Sequence, residues 1–397
     1  MSGPLEDVRI LDLTQVQAGP SCTQLLAWLG ADVIKLEEPV VGDRTRTEMA
    51  HTPEMDSFYY LIFNANKRSV CLDLKSENGK AVFERLVGVC DVVIENFGPG
   101  GMERFSLGYQ RVKAIDPQII YASIKGFGTY GPYSEYKSFE NIAQAMSGAM
   151  STNGQAGGPP QMLSTGVGDS GSGLHCAIGI LAALYRRQRT GAGDYVEVSM
   201  QDAVVNLNRV RMVQTLGSGE PLARLGNRMF GPPALVYQCR PGGPNDYVSL
   251  YIGGEAWDSL LAIIGRAELI GDTRYSTREA RAQNSDEIET FLTEWTSRHT
   301  KYEVMEALNE VGIPCGAVLD TREVLEDPHL RAREMVVEVD DPQRGTYSAI
   351  GCPVKLSSNT VTVTPPPLLG QHSGEVLSEL LGIGQKELQD LSESGVI

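Results

Sequence analysis

The sequence predicts an α/β protein with a Rossmann-like large domain and a smaller α/β domain. Three observations carry the prediction. Apolar runs of strand character alternate with helix-like segments from residue 8 onward, 397 residues suffice for two domains, and a Gly- and Pro-rich stretch at 217–233 precedes a second patterned unit.

The elements follow in order. Val8 to Leu13 reads as a strand, a Gly19-Pro20 turn follows, Ser21 to Leu29 reads as a helix, and Asp32 to Glu37 reads as a second strand. This βαβ opening recurs as a strand at Arg68 to Leu74, a helix at Asn78 to Val87, and strands at Asp91 to Asn96 and Ile119 to Ile124. Such alternation implies a parallel sheet covered by helices. The first turn carries Val16-Gln17-Ala18-Gly19-Pro20 in place of GxGxxG, which disfavours a dinucleotide cofactor.

A helix begins near Gln201. The second unit then shows a strand at Tyr247 to Ile252 and amphipathic helices near Ala256 to Ile264, Glu287 to Thr296 and Tyr302 to Val311. Beyond Asp327-Pro328 the chain turns β-rich, passes the rigid Pro365-Pro366-Pro367 connector, and ends with a helix near Ser373 to Leu381. The expected boundaries are 1–216 for the large domain, 217–233 for a linker, 234–328 for the small domain, and 329–397 for a return segment that completes the large one.

Composition narrows the function. A formal net charge of −16 argues against nucleic-acid or acidic-membrane partners, both of which depend on clustered Lys and Arg. The seven cysteines are scattered without CxxC spacing and the five histidines lack HExxH spacing, so no metal site is expected and reduced thiols are. The start, Met1 to Asp7, lacks signal-peptide character and no long apolar run is present, so a cytoplasmic enzyme is expected.

The richest stretch is Thr165-Gly166-Val167-Gly168-Asp169-Ser170-Gly171-Ser172-Gly173, one carboxylate among glycines immediately before the apolar, helix-like run Leu174 to Arg189. Asp169 would then sit near a helix N-terminus, where unpaired N–H groups and the macrodipole favour negative charge. The plain alternative is a capping aspartate. Downstream, Thr190-Gly191-Ala192-Gly193-Asp194-Tyr195 continues the pattern.

Taken with Val16 to Pro20, Leu29 to Lys35, Glu95 to Gly100 and Gly312 to Gly316, the Asp169 segment makes an ordered set that closely resembles the family III CoA-transferases. The resemblance implies that the chain forms an interlocked, ring-like homodimer. It also implies that Asp169 attacks a donor thioester to give an acyl-aspartyl anhydride and then an aspartyl-CoA thioester, a case of covalent catalysis. CoA thioesters are thus expected as substrates, a small carboxylate as acceptor, and no tightly bound cofactor. Formyl-CoA or succinyl-CoA is the leading donor and oxalate the leading acceptor, the latter because Gln17 and Tyr59 match the oxalate-using branch.

Carried over residue by residue, the catalytic pair is Asp169 with Gln17. The CoA contacts are Val16, Gln17, Ala18, Leu72, Lys75, Asn96, Phe97, Arg104 and Lys137, and the substrate neighbours are Tyr59, Phe139 and Glu48. An aspartate of ordinary pKa, about 3.9, is ionised at neutral pH, and the backbone donors of Gly168 to Gly171 are expected to face each tetrahedral oxyanion. Departures from the oxalate branch are Glu38 and Glu48 in place of an arginine and a tryptophan, and Phe139 in place of a tyrosine. Its glycine-rich loop is reduced to Arg228-Met229-Phe230-Gly231-Pro232, a role that Gly253-Gly254 could take over. The competing readings are an α-methylacyl-CoA racemase, which needs a proton-carrying residue where Phe139 stands, and a non-catalytic acyl-CoA-binding paralogue.

Overall fold

The computed structural model describes residues 3–228, 232–253 and 256–397. The chain divides into two compact units. One comprises Met1–Met150, Met162–Gly219 and Arg331–Ile397, the other Ser151–Gln161 and Glu220–Leu330.

The first unit is built on six strands, β1 (Arg9–Asp12), β2 (Asp32–Glu37), β3 (Arg68–Cys71), β4 (Val92–Glu95), β5 (Ile120–Lys125) and β6 (Asp194–Ser199). They lie in the order β3-β2-β1-β4-β5-β6, every pair parallel. This is the doubly wound order, in which the crevice at the carboxyl ends of β1 and β4 is the topological switch point. Both faces are covered, which explains why the strands read as continuous apolar runs. Successive residues alternate between two cores: Ile10, Val33, Val92 and Ile120 enter one, while Leu11, Ile34, Val93 and Tyr121 enter the other.

Helices α1 (Ala18–Trp28), α2 (Phe58–Asn64), α3 (Glu77–Val87), α4 (Gly101–Arg104), α5 (Tyr109–Ile115), α6 (Glu140–Met146), α7 (Ala149–Thr152), α8 (Asp169–Thr190), α9 (Met200–Leu207) and α10 (Met212–Ser218) follow in chain order. Helix α1 starts at Ala18, three residues before the expected Ser21, with Pro20 in the first turn, where a missing N–H costs nothing. Helix α8 starts at Asp169 rather than Leu174 and includes Gly171 and Gly173. Glycine disfavours a helix interior, but here packing decides. A Cβ at Gly173 would lie 2.6 Å from the Ala18 carbonyl oxygen and 2.9 Å from the Cys22 nitrogen, so glycine lets α8 close on α1.

The second unit holds an antiparallel sheet of β7 (Val236–Gln238), β8 (Tyr247–Leu250) and β9 (Cys315–Ala317) in the order β7-β8-β9. Helices α11 (Trp257–Ile263), α12 (Arg278–Gln283), α13 (Ser285–Thr296), α14 (Lys301–Glu310) and α15 (Thr321–Glu326) accompany it. Its core gathers Val248, Leu260, Tyr275, Phe291, Val304 and Leu308.

After α16 (Pro328–Ala332) come the hairpin β10 (Val336–Asp341) and β11 (Gly345–Ile350), then α17 (Ser373–Leu381) and α18 (Gln385–Glu393). Arg344 of the hairpin turn stacks its guanidinium on Phe58, 4.5 Å from the ring centre. Val376, Leu377 and Leu391 complete the core on the β3 side of the sheet. Among the described residues no helix is long and apolar enough to cross a membrane, and no cluster of His, Cys, Asp or Glu could hold a metal.

Candidate active site

The segment after β1 meets the segment after β4 at the switch point. The Gln15 N–H donates to Asn96 Oδ1 (2.9 Å) and Asn96 Nδ2 returns a bond to the Gln15 carbonyl (2.8 Å). Val16 follows at φ +67°, a left-handed conformation costly for a β-branched residue. Its N–H points to both oxygens of Asp43, at 3.2 Å each. Asp43 is buried and paired with the fully buried Lys35 at 3.0 Å, and Lys35 also donates to the Thr14 carbonyl at 2.8 Å. Burial alone would raise the Asp43 pKa, but the Lys35 ammonium and the Thr45 N–H hold it down at about 2. The strained turn is thereby braced from below.

Gln17 holds the N-cap position of α1 without a side-chain capping bond, and its amide points across to α8. Its Nε2 donates to Ser170 Oγ (3.0 Å) and its Oε1 accepts from the Tyr59 hydroxyl (3.4 Å). Gly166, at φ +62°, allows the approach, since a Cβ there would stand 2.5 Å from Gln17 Nε2. Burial first, and then the charges of Asp169 and Glu48, push the Tyr59 pKa up to about 12, so the phenol remains a donor at neutral pH.

Asp169 is the first residue of α8 and is half-buried. Two sequence expectations are corrected here. The Gly168 and Asp169 N–H groups donate to the Glu140 carboxylate at 2.9 and 2.6 Å, and the Ser170 N–H donates to the Gly166 carbonyl at 2.8 Å. These three of the four expected amides are occupied and do not face an oxyanion. Nor is Asp169 an ordinary carboxylate: burial, and then the Glu140 charge, push its pKa up to about 7 against the opposing pull of Arg44. The first turn of α8 spends its dipole on Glu140.

Asp169 opens into a cavity of about 400 Å³ whose walls include Val16, Gln17, Ala18, Asn96, Phe97, Arg104, Lys137 and Phe139, all expected at the site. Arg44, Lys125 and Tyr136 join them. Tyr59 is tied to the cavity through Gln17, and Glu48 through Arg44 at 3.6 Å. Leu72 and Lys75 stand apart from this wall. Leu72 is buried in the core between the sheet and α3, and Lys75 is exposed and paired with Glu38 at 2.6 Å. In the glycine-loop region, Met229 to Gly231 and Gly254 lie outside the described residues.

Three contributors escaped sequence reading. Glu140 sits beside Phe139 in the chain, and its first-turn position on α6 was its one signal. Arg44 and Asp43 open the short turn Arg44–Arg46, where Asp43 reads as a simple cap.

Comparison with known proteins decides the family. The model of "CoA-transferase family III" matches residues 5–373. The chain belongs to CoA-transferase family III. It is 48% identical to a formyl-CoA:oxalate CoA-transferase of Streptomyces coelicolor over 99% of both chains. A protein of the same description from Rhodopseudomonas palustris (strain BisA53) is 42% identical over 100% of this chain and 98% of its own. Among solved structures, a CaiB/BaiF family protein from Brucella suis superposes with a TM-score of 0.85 at 32% identity, covering 96% of this chain and 100% of its own. A Mycobacterium tuberculosis protein does so with a TM-score of 0.80 at 29% identity, covering 94% and 99%. As a family III CoA-transferase this chain is a transferase enzyme acting on CoA thioesters.

Proposed function

We propose that this family III CoA-transferase moves CoA from formyl-CoA or succinyl-CoA to oxalate through covalent intermediates on Asp169. The observation that carries the reading is the Asp169 carboxylate opening into a cavity beside Gln17. The two relatives described above, both formyl-CoA:oxalate CoA-transferases by name, support formyl-CoA as donor and oxalate as acceptor.

An Asp169 oxygen attacks the donor thioester carbonyl. The tetrahedral oxyanion collapses, the C–S bond breaks, and CoA leaves as thiolate, with a mixed anhydride on Asp169. The thiolate attacks the Asp169 carbonyl of the anhydride, expels the donor acid and forms the aspartyl-CoA thioester. An oxalate oxygen then attacks that carbonyl and releases the thiolate, which finally takes the oxalyl group and restores Asp169. The amide of Gln17, held between Ser170 and Tyr59, would orient acyl oxygens at each collapse. Asn96, Phe97, Arg104 and Lys137 would hold the CoA portion, with cations for its phosphates and Phe97 for its apolar path.

Peptide mass spectrometry after incubation with formyl-, acetyl-, succinyl- and oxalyl-CoA tests this reading. A CoA thioester on the Asp169 peptide is expected. Binding of CoA with no adduct from any donor would turn the assignment toward the racemase or binding-paralogue readings.

The same proposal includes a homodimer. Leu174, Ile178 and Tyr185 form an exposed apolar stripe along α8, and Val210, Val213 and Leu216 expose more apolar surface just beyond α9. Sedimentation equilibrium is expected to give twice the 43.1 kDa chain mass; a monomer at micromolar concentration would remove this part.

A further inference from the structure

We propose that Arg44 selects the acceptor acid, its guanidinium taking the distal carboxylate of a dicarboxylate while the proximal carboxylate reacts at Asp169. The inference rests on the covalent reading above. It assigns to Arg44 a role that the family resemblance does not supply.

The backbone of Arg44 is fixed. It follows Asp43, which caps the turn through the Thr45 N–H and is itself pinned by Lys35. Its side chain is not fixed in the same way. Arg46, two residues on, is buried and engaged with Glu37 (2.7 Å) and Asp56 (2.6 Å). Arg44 is half exposed, lies over the Phe139 ring at 5.5 Å, and meets one carboxylate, Glu48, at 3.6 Å. That distance exceeds the roughly 2.7–2.9 Å of a charge-assisted hydrogen bond. With both side chains about half exposed, at 52% and 49%, the pair contributes little to stability. Among the described residues, no acceptor receives a hydrogen bond from the Arg44 guanidinium, so its planar fork is available to a ligand carboxylate.

Position supplies the specificity. Arg44 lines the same cavity as Gln17 and Asp169, and its charge is felt at the Asp169 carboxyl. Of the other cations of the wall, Lys125 is engaged with Glu95 (2.8 Å) and the Phe97 carbonyl (2.7 Å), while Arg104, which donates to the Pro99 carbonyl (2.9 Å), and Lys137 are assigned above to the CoA phosphates. An acceptor must offer one carboxylate to the aspartyl thioester. An acid with a second carboxylate can exchange Glu48 for itself on Arg44, and a monocarboxylate cannot. No bond to Arg44 changes during transfer. The new C–O bond forms at the Asp169 carbonyl as its C–S bond breaks and the thiolate leaves.

The test separates the two half-reactions, at a pH well above 7 so that Asp169 is ionised in every variant. The full-length protein is charged with formyl-CoA, the Asp169 adduct is quantified, and its consumption by oxalate, malonate, formate and acetate is followed. In the native protein, dicarboxylates are expected to consume the adduct at lower concentrations than monocarboxylates. Arg44→Met should weaken consumption of the preformed adduct by oxalate by about tenfold or more and change its consumption by formate and acetate far less. Arg44→Lys should restore part of the loss, and Glu48→Gln should lower the oxalate concentration needed. Equal loss for dicarboxylates and monocarboxylates, an unchanged oxalate step, or no native preference for dicarboxylates would each overturn the assignment. Absence of any adduct in the native protein would instead remove the Asp169 reading on which it stands.

Discussion

The Glu140 carboxylate accepts the backbone N–H of Asp169 at 2.6 Å and thereby takes the helix terminus that Asp169 itself would otherwise use. One acid is satisfied at the expense of the other. Glu140 accepts further from Gly168 N and Gln144 Nε2, whereas the Asp169 carboxyl is left half-buried beside a like charge with a pKa of about 7. A less solvated carboxylate is a more basic one, which suits attack on a thioester.

Because the attacking form is the carboxylate, transfer is expected to rise with pH through about 7 and level off above it. Glu140→Gln removes the neighbouring charge, so the midpoint should move toward acid while the plateau rate falls through loss of nucleophile basicity. A pH–rate profile of donor-side adduct formation checks both. An unmoved midpoint would show that burial alone sets the Asp169 pKa.

Asp169→Asn separates stability from activity. The folded-state pKa of Asp169 is raised from 3.8 to about 7, so the folded protein binds more protons than the unfolded chain between those values. Stability from this group is therefore present at low pH, is lost as pH rises from about 4 to about 7, and stays lost above. The variant should be more stable than the native protein at pH 8 by roughly 2 kcal/mol, a figure discounted for partial solvation of the group. The difference should close near pH 4, as chemical denaturation across pH would measure, while transfer is abolished throughout.

Gly173→Ala tests the close approach of α8 and α1. The added Cβ would meet backbone atoms of α1, which cannot swing aside as a side chain can. A loss of about 1–3 kcal/mol is expected, read as a lower midpoint in thermal or urea unfolding. A neutral or stabilising result, as glycine replacement in an uncrowded helix would give, would mean that the contact is looser than the geometry implies.

Lys35→Met should be the costliest of these changes. It leaves the Asp43 carboxylate buried without its partner, a loss of about 3–5 kcal/mol. It also slackens the brace under Val16, so the remaining folded enzyme should lose turnover more than CoA binding. Urea unfolding and the separate kcat and KM values decide. A fall in stability with unchanged kcat per folded molecule would confine Lys35 to a structural role.

Much of the first unit was legible in the sequence, because strands buried on both faces and separated by helices leave a strong apolar signature at Val8 to Leu13, Asp32 to Glu37 and Asp91 to Asn96. The start of α8 was not legible. Local propensity places glycines outside a helix, and the contact with α1 that reverses this preference comes from a segment about 150 residues away in sequence.

The sequence by itself determined the α/β class, the family, and Asp169 with Gln17 as the residues to watch, since these depend on local pattern and on motifs that survive as strings. The tertiary structure alone decided the electrostatics. Glu140 reaches the Asp169 amide from 29 positions away, and Arg44, from the turn after β2, lines the same cavity. Charge acts through space and dielectric, so the raised pKa of Asp169 and the open fork of Arg44 exist only once the chain has folded.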